Sequence, residues 1–187
     1  AERLRTYAER EISARALRSE LAGLREAPAE TRDGYQIMLS ANIELPGDVK
    51  GVLENGCQGV GLFRSEFLSL ASHQLPTEEE QTRAYSAVAA QLAPAPVIIR
   101  TLDLGGDKLV SHVQTPVEVN PFMGWRAIRF CLGHPEIFKA QLRALLRASV
   151  HTNLRIMYPM ISRLEEVQAA NALLDEAKAE LNSEGIS

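Results

Sequence analysis

VIIRTLDLGGDK, residues 97–108, opens on three consecutive β-branched residues, Val97, Ile98 and Ile99, with no polar alternation. A continuous apolar run of this kind marks a strand covered on both faces, the condition of a parallel sheet between helices. Arg100 follows the run directly, and Gly105 and Gly106 then break it. GVGLFRSEF, residues 59–67, repeats the arrangement: a strand from Gly59 to Phe63, then Arg64. Guanidinium forks delivered at the ends of neighbouring parallel strands converge on an anion, and a third arginine, Arg126, stands in NPFMGWRAIR, residues 120–129. Arg64, Arg100 and Arg126 are therefore candidate ligands for a phosphate or a carboxylate. Taken singly, an arginine after a strand is more often a surface ion-pair residue; three in one pattern reverse that weighting.

Outward from these stretches, helical and extended patterns alternate. Ala1 to Arg25 places Leu4, Ala8, Ile12, Leu17, Leu21 and Leu24 among charges, roughly one stripe of a long helix. Pro28 to Gly34 is turn-rich, and Tyr35 to Asn42 alternates as a strand with Ile37, Leu39 and Ala41 on one face. Gly47 to Asn55 reads as a short helix stopped by Gly56. Thr77 with Glu80 forms a capping box for a helix over 77–91, closed by Pro94 and Pro96. The acidic run Glu78 to Glu80 is read as a solvated helix start favoured by the dipole. Gly105 to Met123 exceeds usual loop lengths, as functional loops do. Helices are expected around Trp125 to Leu132 and Pro135 to Ser149, a fourth strand over Leu154 to Met160, and a last helix opened by Ser162 with Glu165. The order, a helix and then strand–helix four times, predicts an α/β fold with parallel strands wound right-handed, as an open sheet or as part of a barrel.

Composition narrows the function. In 187 residues with 45% apolar side chains there is enough for one sizeable core, and a formal net charge of -4 argues against the basic stripe that tracks nucleic acid. No apolar stretch approaches the about 18 residues of a membrane span, and the N-terminus is too polar for a signal segment. Two distant cysteines, Cys57 and Cys131, fit small core residues in a reducing compartment, so a cytoplasmic location is expected. The chain starts without methionine and stops after a helical pattern, which reads as an excised piece. Trp125 suits either the core or stacking on Arg126, and Tyr158, Pro159 and Met160 suit either core or site. GGDK lacks the rest of a phosphate loop and is read as a turn.

Several motifs in one order, GVGLFRSEFLSL, LPTEEEQTRAY, VIIRTLDLGGDK, VNPFMGWRAIRF, QLRALLRAS and LRIMYPMIS, resemble the enzyme I family of the bacterial phosphoenolpyruvate:sugar phosphotransferase system along nearly the whole chain. The resemblance implies an incomplete TIM-type (β/α) barrel: a linker helix over 1–27 and, over 28–187, the first four βα units of a phosphoenolpyruvate-binding (β/α)8 barrel. It implies that Arg64, Arg100 and Arg126 bind the substrate phosphate, with Asp103 and Asp107 orienting arginines and Gly105 and Gly106 turning the backbone beneath the ligand. It also implies a phosphoenolpyruvate-protein phosphotransferase, homodimeric as a whole, that phosphorylates its own histidine and passes the group to a phosphocarrier protein for sugar uptake or regulation. His73, His112, His134 and His151 do not match that histidine. The implied Mg2+ ligands, a glutamate and an aspartate, and the catalytic cysteine would all lie beyond Ser187, so no catalytic or metal residue is expected here. The alternative is a non-catalytic half-barrel that serves interaction or dimerisation.

Overall fold

The computed structural model describes residues 2–72, 75–104, 124–151 and 154–186. Its elements run α1 (Glu2–Ala22), β1 (Ala41–Ile43), α2 (Val49–Glu54), β2 (Val60–Arg64), α3 (Glu66–Ser72), α4 (Glu78–Leu92), β3 (Val97–Arg100), α5 (Ile128–Gly133), α6 (Pro135–Ala148), β4 (Leu154–Met157) and α7 (Leu164–Ser183). The strands form one sheet in the order β1-β2-β3-β4, every pair parallel. Parallel strands adjacent in both sequence and space, alternating with helices, make the expected α/β arrangement of a partial TIM-type barrel.

The core lies between the sheet and the layer formed by α4, α6 and α7. Phe63 of β2 meets Tyr85 of α4 edge to face, with ring centroids 5.9 Å apart, and Ile99, Phe138, Leu142 and Leu145 are fully buried beside them. Gly59 permits the sheet to start: at φ +155° its missing Cβ would stand 2.5 Å from the Pro96 carbonyl, which accepts the Val60 N–H at 2.9 Å. Trp125 is a packing residue, with its indole lying where a Cβ on Gly133 would be, 2.2 Å away. It joins the core from its edge. Among the described residues no helix is long and apolar enough to cross a membrane.

Four expectations are corrected. The strand expected over Tyr35 to Asn42 begins only at Ala41, because the residues of the second strand unit that would pair with 35–40 belong to α2 and the turn after it. That segment turns back on itself instead, with the Ile37 N–H donating to the Ala29 carbonyl at 2.8 Å, and Ile37, Met38 and Leu39 stay exposed. A short helix, α3, follows β2 where no element was expected. The cap of α7 uses Glu166 rather than Glu165: its carboxylate accepts from the backbone N–H of Ser162 at 2.7 Å and of Arg163 at 3.0 Å. Last, the run Glu78 to Glu80 is not simply solvated. Glu80 completes the Thr77 cap, while Glu78 accepts from Arg143 at 2.7 Å and from Arg147 at 2.9 Å, and Glu79 accepts from Arg147 at 2.8 Å. α1 forms nearly as read, and Tyr7, Ile12, Leu17 and Leu21 on it are exposed. The long segment from Gly105 to Met123 lies outside the described residues.

These cross-helix pairs set an acid limit. Burial pushes the Glu78 carboxyl up, but the hydrogen bonds from Arg143 and Arg147 outweigh it and hold the group below its ordinary value of 4.5. The backbone N–H of Ser162 does the same for Glu166. Both carboxylates bind protons less readily folded than unfolded, so their contribution is complete above the ordinary value and is lost as pH falls through the folded one. Thermal unfolding followed by circular dichroism is expected to show a midpoint that drops steeply below about pH 4.5, with a shallower drop in Arg143→Gln. Gly133→Ala, which forces Trp125 out of its seat, is expected to cost about 1–3 kcal/mol in urea denaturation.

Candidate functional site

β2, β3 and β4 end side by side, and their register aligns Arg64 with Arg100 and Arg100 with Met157. Residues paired across a parallel ladder project to the same face about 4.8 Å apart, so two guanidinium-bearing residues stand next to each other at the carboxyl ends of neighbouring strands. In α/β barrels that is the face where ligands bind. Like charges so placed repel, and the chain supplies a carboxylate close after each strand end. Glu44 follows β1 and reaches Arg64, with Nη2 and Oε1 2.8 Å apart. Glu66, at the start of α3, pairs with Arg100. Asp103, three residues past Arg100, takes Arg100 Nη1 at 3.0 Å on Oδ2.

The third arginine is drawn in by the same aspartate. Arg126 donates Nε to Oδ1 of Asp103 at 2.8 Å and Nη2 to Oδ2 at 3.2 Å, a two-pronged contact that fixes the plane of its guanidinium. Asp103 therefore bridges two of the three candidate arginines. Arg64 joins them through strand register and lies with its Cζ 5.3 Å from the centre of the Phe67 ring. All three are brought to one rim. Two positions there hold non-glycine residues at positive φ, Ala127 at 55° and Met160 at 58°. Such conformations cost about 1–3 kcal/mol each and persist where the surroundings impose them, often at binding sites. The Ala127 N–H is tied to the Leu104 carbonyl at 3.0 Å, which anchors the segment that carries Arg126 to the end of the third strand unit.

Beneath the rim lies a buried polar network. The Ser65 hydroxyl donates to the Arg100 carbonyl at 2.7 Å. Gln141 of α6 donates to Ser65 Oγ and to the Tyr85 hydroxyl, both at 3.0 Å, and its Oε1 accepts the Leu102 N–H at 2.9 Å. Burial, partly offset by these bonds, pushes the Tyr85 hydroxyl up to about 12, so it stays a donor, here to Gln81 Oε1. The network grips the backbone on both sides of Thr101 and so fixes where Arg100 leaves the sheet. Cys131 sits below it, buried, with its thiol pushed up to about 12 by burial and then by Asp103. It is an inert core residue, as expected, and Cys57 is half-buried and free.

Donor capacity remains at the rim. Arg64 Nε and Arg100 Nε are buried without a hydrogen-bond partner among the described residues, as is Oε2 of Glu66. Two unspent guanidinium donors beside each other suit an oxyanion. Among the described residues no three His, Cys, Asp or Glu side chains gather closely enough to hold a metal ion. Tyr158 packs edge to face on Phe138 with centroids 6.1 Å apart, and His134 lies against Phe130 at 4.7 Å. Asp107, Gly105, Gly106, His73 and His112 lie outside the described residues. Glu44 and Glu66 were not anticipated. Their signal is positional: an acid one residue after β1 and another two residues after the β2 arginine.

The family described as PEP-utilising enzyme, PEP-binding domain, matches residues 18–187. The chain is 52% identical over 168 residues, 90% of its length, to the phosphoenolpyruvate-protein phosphotransferase of Staphylococcus carnosus, and covers 29% of that protein. It is 49% identical over 185 residues, 99% of its length, to the Bacillus subtilis protein of the same name, and 48% identical over 186 residues to that of Geobacillus stearothermophilus, covering 32% of each. The chain thus spans under a third of the length of these curated relatives.

Removing the shared carboxylate should unfasten two arginines at once. Asp103→Asn is expected to destabilise the chain by about 3 kcal/mol in urea denaturation, the usual cost of breaking a buried pair from one side. A loss below that of an exposed pair would mean that Arg100 and Arg126 find equivalent partners elsewhere.

Proposed function

The chain belongs to the PEP-utilising enzymes through their PEP-binding domain, and from that premise we propose that Arg64, Arg100 and Arg126 hold the phosphate of phosphoenolpyruvate. The observation that carries this reading is the register of Arg64 with Arg100, joined to Arg126 through Asp103, at the carboxyl edge of a parallel sheet. Guanidinium groups of which two, Arg100 and Arg126, are held by buried carboxylates neutralise a phosphate with little reorganisation, and they meet the charge that spreads over its oxygens when the phosphorus–oxygen bond to the enol breaks. Lysines would offer point charges without the planar fork.

The whole protein is read as a phosphoenolpyruvate-protein phosphotransferase, moving the phosphoryl group to a histidine of its own and then to a phosphocarrier protein, for sugar uptake or regulation. The names of relatives about half identical to this chain support that reading over a non-catalytic interaction module. Residues 1–27 are assigned to a linker helix and 28–187 to the first half of the barrel. On this reading the arginines supply substrate binding, and the histidine, the acid that protonates the enolate and the ligands of Mg2+ are assigned, by the family resemblance, to other parts of the protein. Mg2+ would supply charge neutralisation on the phosphate oxygens. A cytoplasmic homodimer is the expected setting, a location supported by the two free cysteines.

Two measurements test this. In titration calorimetry with phosphoenolpyruvate or inorganic phosphate, Arg100→Ala should weaken binding by about 1.5–3 kcal/mol for each charged hydrogen bond lost; unchanged affinity would make the residue purely structural. Incubated with phosphoenolpyruvate, Mg2+ and a phosphocarrier protein, the 187-residue chain should release no pyruvate above background. Pyruvate release that Arg64→Ala abolishes would place an acceptor within this chain.

A further inference from the structure

The three carboxylates that hold the arginines are not alike. Glu66 and Asp103 expose only 2% and 9% of their side chains, so neither can leave its arginine without stranding a charge in the protein interior. Glu44 exposes 39% and its partner Arg64 37%. An ion pair this open is worth little, since water replaces either partner at small cost. Its place is nonetheless built. The Asp48 carboxylate accepts the backbone N–H groups of Glu44 and Leu45, both at 2.9 Å, and these bonds, that of Leu45 foremost, keep Asp48 ionised by lowering its pKa. The backbone of Glu44 is thereby fixed directly beyond Ile43, whose ladder partner is Phe63, so the side chain begins level with Arg64 on the neighbouring strand. β1, β2 and β3 present at one edge a negative, a positive and a positive residue.

We propose that Glu44 is an internal competitor for the anion: its carboxylate occupies Arg64 until a phosphate-bearing ligand displaces it into solvent, while Glu66 and Asp103 stay in place as permanent holders of Arg100 and Arg126. This rests on Arg64 being a phosphate-binding residue. Arg64 keeps a buried Nε without a partner among the described residues while its Nη2 is engaged by Glu44, so the group is only half committed. The exchange of one carboxylate for a phosphate leaves the guanidinium paired throughout, and the displaced carboxylate moves from a half-exposed position to a fully hydrated one. Glu44 thereby sets the affinity of the site and its selectivity. A weakly charged anion competes poorly with a carboxylate already seated, and a doubly charged phosphate competes well.

The test is a double-mutant cycle on the chain, with inorganic phosphate as the titrant followed by phosphorus NMR, which reads weak binding. Glu44→Gln should tighten phosphate binding by about two- to fivefold, the worth of an exposed ion pair. In the Arg64→Ala background the same substitution should change nothing, because there is no guanidinium left to compete for. Unchanged or weaker binding in Glu44→Gln overturns the proposal. So does an equal gain in the Arg64→Ala background, which would mark a general effect of removing negative charge near the rim. Binding lost in Arg100→Ala with no gain in Glu44→Gln would leave the phosphate site standing and remove only the competitor; no binding by any form would remove both.

Discussion

Two guanidinium groups in register on adjacent strands repel each other, and the rim of this sheet exists because carboxylates are delivered to meet that repulsion. Asp103 is central, since it takes Arg100 with one oxygen and spans Arg126 with both. In a region this dry, a charge without a partner costs more than any packing contact in the neighbourhood can return, so the segment before α5 must approach the end of β3. The hydrogen bond from Ala127 to Leu104 and the positive φ of Ala127 are the local consequences. The arginine cluster and the fold of its supporting segment are one constraint seen at two scales.

The second layer is neutral and does a different job. Ser65, Gln141 and Tyr85 carry no charge at ordinary pH, yet they define the backbone on either side of Thr101 through bonds to the Arg100 carbonyl and the Leu102 N–H. Because Gln141 belongs to α6, the outer helical layer reports directly on the geometry of the rim. A buried network with every member satisfied rigidifies what it touches. The charged groups above it therefore stand on a tightly hydrogen-bonded base, which is the condition for electrostatic preorganisation.

Much of this was legible from residue patterns, and the failures share a cause. The unbroken Val97-Ile98-Ile99 run and the Thr77 cap report purely local preferences, and both formed as read. The three arginines were visible because each stands in a short motif of its own segment, Arg64 and Arg100 directly after an apolar run. Glu44 and Glu66 were not, since their roles depend on which strand lies next to which, and the register that pairs Arg64 with Arg100 is written in no single segment. The start of β1 failed for the same reason: alternation at Tyr35 to Asn42 is real, but a strand also needs a partner, and the facing residues are the end of α2 and the turn after it. Glu166 took the cap from Glu165 because α7 starts at Leu164, so that Arg163 is the cap residue and Glu166 stands three positions after it.

On the outside of the sheet, Arg143 alone meets Glu78, Glu180 and Glu184, and Lys139 and Arg147 extend the chain of contacts across α4, α6 and α7. Pairs of this kind contribute little in isolation at room temperature, but a network shares the cost of ordering its side chains, and the hydration that competes with it weakens on heating. The helical jacket therefore tightens, relative to the apolar core, as the temperature climbs. Warmth would loosen this protein from α1 inward, with its three laced helices among the last parts to let go.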